Sequence, residues 1–81
     1  MVLQLDRVYV TNVYVTDKGA AYLELTDGGE SKLKLNVPHF RPDEWPIFKP
    51  LKIVARITPR IFDRNLSIRV DQHQVDLLPE A

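Results

Sequence analysis

Apolar side chains return at every second position over most of this chain, and the opening segment does so in three successive frames. Leu3 and Leu5 alternate with Gln4, then Val8 and Val10 with Tyr9, then Val13 and Val15 with Tyr14. A period of two is the mark of an extended strand with one buried face. Each change of frame inserts residues into the alternation, which is what a bulged or strongly bent strand produces. The opening segment is therefore expected to be one long, bent strand that serves both halves of a sheet.

Asp17-Lys18-Gly19 is a turn signal. Beyond it Ala21, Leu23 and Leu25 share one face, with Tyr22, Glu24 and Thr26 on the other. Asp27-Gly28-Gly29 turns the chain again, and Leu33, Leu35 and Val37 then face opposite to Lys32, Lys34 and Asn36. Pro38, Pro42, Pro46 and Pro50 end the pattern, since prolines at that density suit neither a ladder strand nor a long helix. Pro42-Asp43-Glu44-Trp45 suits one helical turn, with proline first and acids at its positive end. Phe40, Trp45 and Phe48 are assigned to the core, with Trp45 plugging the end of the fold.

Alternation resumes with Leu51, Ile53, Ala55 and Ile57 inward and Lys52, Val54, Arg56 and Thr58 outward. Asp63-Arg64-Asn65 forms a hairpin tip, and Leu66, Ile68 and Val70 point inward from a fifth strand that Val75 and Leu77 extend. Three strands, a proline-rich cap and two strands is the order of an OB-fold, a small five-stranded all-β barrel. An SH3-like barrel and an open sheet are the competitors, and the break between strands three and four favours the OB order. The whole of 1–81 is expected to be one such domain. A chain this short hides only about 60% of its unfolded surface, so closing the sheet is worth a great deal to it.

Function classes fall away quickly. With no cysteine, disulfide scaffolds, iron–sulfur clusters and thiol catalysis are excluded. No apolar run approaches the roughly 18 residues of a membrane span, and the first residues carry no signal-peptide pattern. A cytoplasmic protein is expected, in the host cytoplasm if the source is viral. His39 reads as a loop residue and His73 as part of an outward polar stretch. No nucleophile elbow or phosphate-binding glycine loop occurs. No enzymatic activity, metal or cofactor is expected.

Charge is uneven along the chain. Residues 49–69 hold Lys49, Lys52, Arg56, Arg60, Arg64 and Arg69 against Asp63 alone, although the whole chain is neutral. Residues 70–81 hold only acids: Asp71, Asp76 and Glu80. Lys32, Lys34, Lys52, Arg56 and Arg69 are all out of phase with the core, as are Tyr14 and Tyr22 on either side of the Lys18 turn. Arg60, Phe62 and Arg64 gather at the late hairpin. Single-stranded nucleic acid asks for this mixture, with cations tracking phosphates and exposed rings stacking on unpaired bases. Each ring also has a plainer role: Tyr22 as cross-strand cover, Phe62 as a loop anchor, and Tyr9 on either face because the frame shifts around it.

Val15-Thr16-Asp17-Lys18-Gly19-Ala20-Ala21-Tyr22-Leu23-Glu24-Leu25 resembles the Lys-Gly-x-x-Tyr hairpin of small OB-fold single-stranded DNA-binding proteins, notably those of filamentous bacteriophages. The tail from Leu51 to Pro79, with its hairpin Pro59-Arg60-Ile61-Phe62-Asp63-Arg64, the following Leu66–Val70 and the Val75–Pro79 ending, resembles their last two strands. The resemblance implies a homodimer that coats single-stranded DNA in replication without catalysis, stacking bases on Tyr22 and Phe62.

Two functions therefore stand at this stage. The first is sequence-tolerant binding of single-stranded DNA, with RNA open, using Tyr14, Tyr22 and Phe62 as stacking surfaces. Its phosphate contacts would be Lys18, Lys32, Lys34, Lys52, Arg56, Arg60, Arg64 and Arg69. The second is a protein-interaction module whose basic face meets an acidic protein partner, a use that small barrels equally support.

Overall fold

The computed structural model describes residues 1–30 and 32–80, with Phe62 described in its backbone alone; the roles expected of the Phe62 ring fall outside the described residues. The elements are β1 (Val2–Val15), β2 (Ala21–Thr26), β3 (Lys32–Val37), a single 3-10 turn (Pro42–Glu44), β4 (Leu51–Phe62) and β5 (Asn65–Leu77). They close into a barrel in the order β1-β2-β3-β5-β4. Every pairing is antiparallel except β3 with β5, which run parallel and meet at Asn36 and Arg69. This is the all-β, five-stranded, OB-like barrel with a proline-rich cap that the sequence order implies. Among the described residues, no helix is long and apolar enough to cross a membrane.

Both frame changes in β1 are register shifts. Against β4, Leu5 pairs with Ile53 and Val8 with Leu51, so Asp6 and Arg7 accommodate one extra residue. Against β2, Val10 pairs with Leu25 and Asn12 with Glu24, so Thr11 is the extra residue. The first half of β1 thus pairs with β4 and the second half with β2. β5 carries a third shift, since Arg56 pairs with Gln72 but Ile57 with Val70, leaving Asp71 unpaired in the ladder.

Inside the barrel, Val10, Leu23, Leu25, Leu35, Leu51 and Ile53 are fully buried. Each such aliphatic side chain contributes about 1.5–3 kcal/mol relative to leaving it exposed. The cap lies across the barrel: the Phe48 N–H donates to the Val10 carbonyl at 3.0 Å, and Phe40 N–H to the Gly19 carbonyl at 3.2 Å. Trp45 is 1% exposed and plugs the barrel as expected. Phe40 packs against the core, half-buried.

Three expectations are corrected. Phe48 is 69% exposed rather than core, because its left-handed backbone (φ 59°) turns the ring away from the plug. His73 is not on an outward face. The unpaired Asp71 shifts the alternation by one, so His73 stands opposite inward-facing Ala55. There it lies 4.9 Å from the Trp45 ring, with Nε2 3.1 Å from Glu44 Oε2. Leu66 is 66% exposed and faces Ile61, itself 81% exposed, because the β4–β5 hairpin runs beyond the closed part of the barrel.

Candidate nucleic-acid interface

The bulge at Thr11 decides what the outer wall presents. With unbroken alternation, buried Val10 would place Asn12 and Tyr14 inside the barrel. The inserted residue reverses them, so Val13 packs on the core while Asn12 and Tyr14 face outward. Tyr14 then lies directly opposite Tyr22, which lies opposite Asn36 on β3. Asn36 meets Arg69 on β5, and Arg69 lies opposite Thr58 on β4. One row of outward side chains, Tyr14–Tyr22–Asn36–Arg69–Thr58, thus crosses all five strands. Its two rings are 55% and 47% exposed. The Asn36 Oδ1 is buried and makes no hydrogen bond among the described residues.

The next row on the same wall is Asn12–Glu24–Lys34, followed by Thr26–Lys32. Glu24 is the hub of this row. Asn12 Nδ2 donates to its Oε2 at 3.0 Å, Lys32 Nζ lies 3.9 Å from Oε2, and Lys34 Nζ lies 3.8 Å from Oε1. Both lysines are well exposed, so these two ion pairs hold them only loosely. Tyr14, Tyr22, Glu24 and Lys34 together line a hollow of about 300 Å³ on the outer wall.

Arg69 is held more firmly. Its Nε donates to Asp71 Oδ1 at 2.8 Å, and its Nη2 lies 3.5 Å from the Thr58 hydroxyl. The Thr58 hydroxyl in turn donates to Asp71 Oδ2. The hydrogen bonds from Thr58 and Arg69 hold the Asp71 carboxyl below the usual aspartate range. The bulge that displaces Asp71 from the ladder is what brings it back against its own neighbours.

The remaining expected residues divide into two sets. Lys18 sits in the β1–β2 turn, closed by the Gly19 N–H donating to the Thr16 carbonyl at 3.2 Å. Gly19 takes a left-handed backbone there, φ 81°, which costs a side-chain-bearing residue roughly 1–2 kcal/mol. Arg60 and Arg64 are on the projecting hairpin, whose two-residue tip, Asp63-Arg64, has φ of 49° and 66°. Positive φ at both tip residues matches a right-twisted ribbon. Because β5 is parallel to β3, following β5 back from Arg69 toward this tip runs beside β3 from Asn36 toward Lys34 and Lys32. The turn and the hairpin therefore flank the wall that carries the two tyrosines. Among the described residues, none of Lys18, Arg60 and Arg64 forms an ion pair.

Lys52 and Arg56 lie elsewhere. They point outward from β4, opposite Asp76 and Gln72 of β5, and Arg56 also stands opposite Val2. In the barrel β4 pairs with β1 and β5 and not with β2 or β3, so Lys52 and Arg56 are not paired with the strands that carry Tyr22, Lys32 and Lys34. Sequence reasoning did not single out Glu24, Asn12 or Asn36. Glu24 and Asn36 share the parity of Tyr22 and the lysines, and that was the available signal; Asn12 needed the position of the bulge. Among the described residues, no group of three His, Asp or Glu side chains is placed to hold a metal ion. Compared with protein-family models, curated proteins and solved structures, the chain matches none.

Proposed function

We propose that this protein binds single-stranded nucleic acid, DNA in the first instance, on the outer wall of β1, β2 and β3 and without catalysis. The observation that carries the proposal is the cross-strand pair Tyr14–Tyr22, about half exposed, on a wall flanked by the Lys18 turn and the Arg60–Arg64 hairpin. Two aromatic rings side by side in solvent add little to a barrel whose core is already filled from inside. A base stacked on such a ring contributes about 1–3 kcal/mol and needs no particular sequence. Cations on both flanks would follow the phosphates, and each neutralised phosphate adds a salt-dependent contribution. The resemblance to the small single-stranded DNA-binding proteins of filamentous phages supports the same reading. The implied homodimer belongs to the proposal too, and the solvent-facing Ile61 and Leu66 are apolar positions that a second copy would cover.

The test is fluorescence anisotropy of a labelled thymine oligonucleotide against a matched duplex, at low and physiological salt. Salt-sensitive binding to the single strand, with much weaker duplex binding, is expected. Absence of binding at low salt, where attraction between charges is least screened, would refute it. The outward side of β4 favours a second reading for part of the surface. Lys52, Val54 and Arg56 beside exposed Val2 present a basic and apolar patch to an acidic protein. Retention on an acidic protein column that is lost in the Lys52→Ala, Arg56→Ala double variant would establish it.

A further inference from the structure

Glu24 is out of place on a wall meant only for phosphates, because a carboxylate amid the lysines repels the backbone they would attract. Its surroundings are those of a base-reading group. Tyr14 and Tyr22 supply ring faces beside it, and the hollow that Glu24 shares with them is open to solvent on the outer wall. Its two oxygens are differently attended: Lys34 lies at Oε1, while Asn12 and Lys32 lie at Oε2. Among the groups that line the hollow the order is therefore ammonium donor, acceptor, acceptor, with Asn12 and Lys32 beyond Oε2. A carboxylate has about four lone-pair sites, so the one hydrogen bond from Asn12 leaves both oxygens able to accept.

Unpaired bases expose their Watson–Crick edges to side chains. Guanine presents an acceptor (O6) followed by two adjacent donors (N1–H and the 2-amino group). Adenine and cytosine each place a single donor group beside a ring acceptor, and thymine and uracil have one donor between two acceptors. Only guanine complements Lys34, Oε1 and Oε2 in sequence.

Resting on the single-strand reading above, we propose that this hollow is a guanine-preferring subsite within an otherwise sequence-tolerant site. The base stacks on the tyrosine pair, Glu24 accepts from N1–H and the 2-amino group, and Lys34 donates to O6. In the free protein Glu24 occupies the two lysines; a bound guanine takes over its acceptors. A base offering acceptors in those places sets its lone pairs against the carboxylate oxygens, which is a strong ground for rejection.

The experiment measures anisotropy with three labelled strands: all thymine, thymine with isolated guanines, and the same strand with inosine for guanine, which deletes only the 2-amino group. The native protein is expected to bind the guanine strand about fivefold or more tighter than the thymine strand, the lower end for a bidentate base contact. Inosine should forfeit most of that gain. Glu24→Gln should abolish the preference of the guanine strand over the thymine strand, because one of the two acceptors becomes a donor. Equal binding of all three strands by the native protein overturns the subsite and leaves the single-strand reading standing. Binding of none overturns both. The inosine comparison needs no variant, so the proposal stays refutable even if Glu24→Gln folds poorly; Lys34→Met, which removes the O6 donor and keeps an unbranched side chain, gives a second check by narrowing the preference.

Discussion

Replacing Tyr22 by alanine separates a stacking surface from a structural cover. Tyr22 is 47% exposed and lies between Tyr14 and Asn36 on its neighbouring strands. Full burial of a large apolar side chain contributes about 1.5–3 kcal/mol, so a ring only half covered stands to lose about 1 kcal/mol of folding stability. A cross-strand aromatic pair adds a further amount of about 0.2–1 kcal/mol at most. A domain of ordinary stability, about 5–15 kcal/mol, stays folded after such a loss. Loss of one stacked base costs about 1–3 kcal/mol of binding, or roughly a 5- to 150-fold weaker affinity for a thymine oligonucleotide. Urea unfolding and anisotropy on the same preparation read the two quantities separately. Tyr22→Phe keeps the ring face and is expected to keep the affinity. If Tyr22→Ala lowers the urea midpoint but leaves affinity unchanged, the ring serves only the sheet and the stacking argument fails. If Tyr22→Phe is as weak as Tyr22→Ala, the hydroxyl and not the ring face makes the contact.

Other perturbations test the framework around that wall. Arg60→Ala with Arg64→Ala should flatten the dependence of log affinity on log salt, by about 0.7 for each single-strand phosphate released. Lys52→Ala with Arg56→Ala should leave that slope unchanged, since both lie on β4, which pairs with neither β2 nor β3; the reverse pattern would move the interface. Trp45→Ala should cost about 3–5 kcal/mol by urea unfolding, as for other buried aromatics. Trp45→Phe should cost clearly less, because it keeps a ring in the barrel and removes an indole N–H that is buried without a hydrogen-bond partner among the described residues. The Asp71 carboxyl is held below its ordinary pKa when folded, so its contribution to stability is complete above the usual aspartate range and is lost as pH falls through the folded value. Asp71→Asn should remove that part of the acid-side dependence in pH-resolved melting; an unchanged profile would show that Thr58 and Arg69 do not hold the carboxylate in solution.

The strands, their inward faces and the barrel order could be read from sequence because they rest on local regularities. A period of two marks a strand, glycine and aspartate mark the turns, and four closely spaced prolines forbid a ladder. Even the two irregularities of β1 were written in the frames of Leu5, Val8, Val10 and Val13. What sequence could not settle was how those local choices meet across strands. His73 and Leu66 were misplaced for that reason. The bulge at Asp71 carries no mark in its own residue, and how far a hairpin projects beyond a barrel depends on where the neighbouring strand ends. The division of the basic residues is of the same kind. Lys34 and Arg56 have identical parity within their strands, yet barrel closure puts β3 next to β2 and β5, and β4 next to β1 and β5, so the two cations have different neighbours. Alternation determines which side of a strand a residue takes; only the order and register of all five strands determine which outward residues become neighbours. Tyr14, Tyr22, Glu24 and Lys34 come together through that order and register.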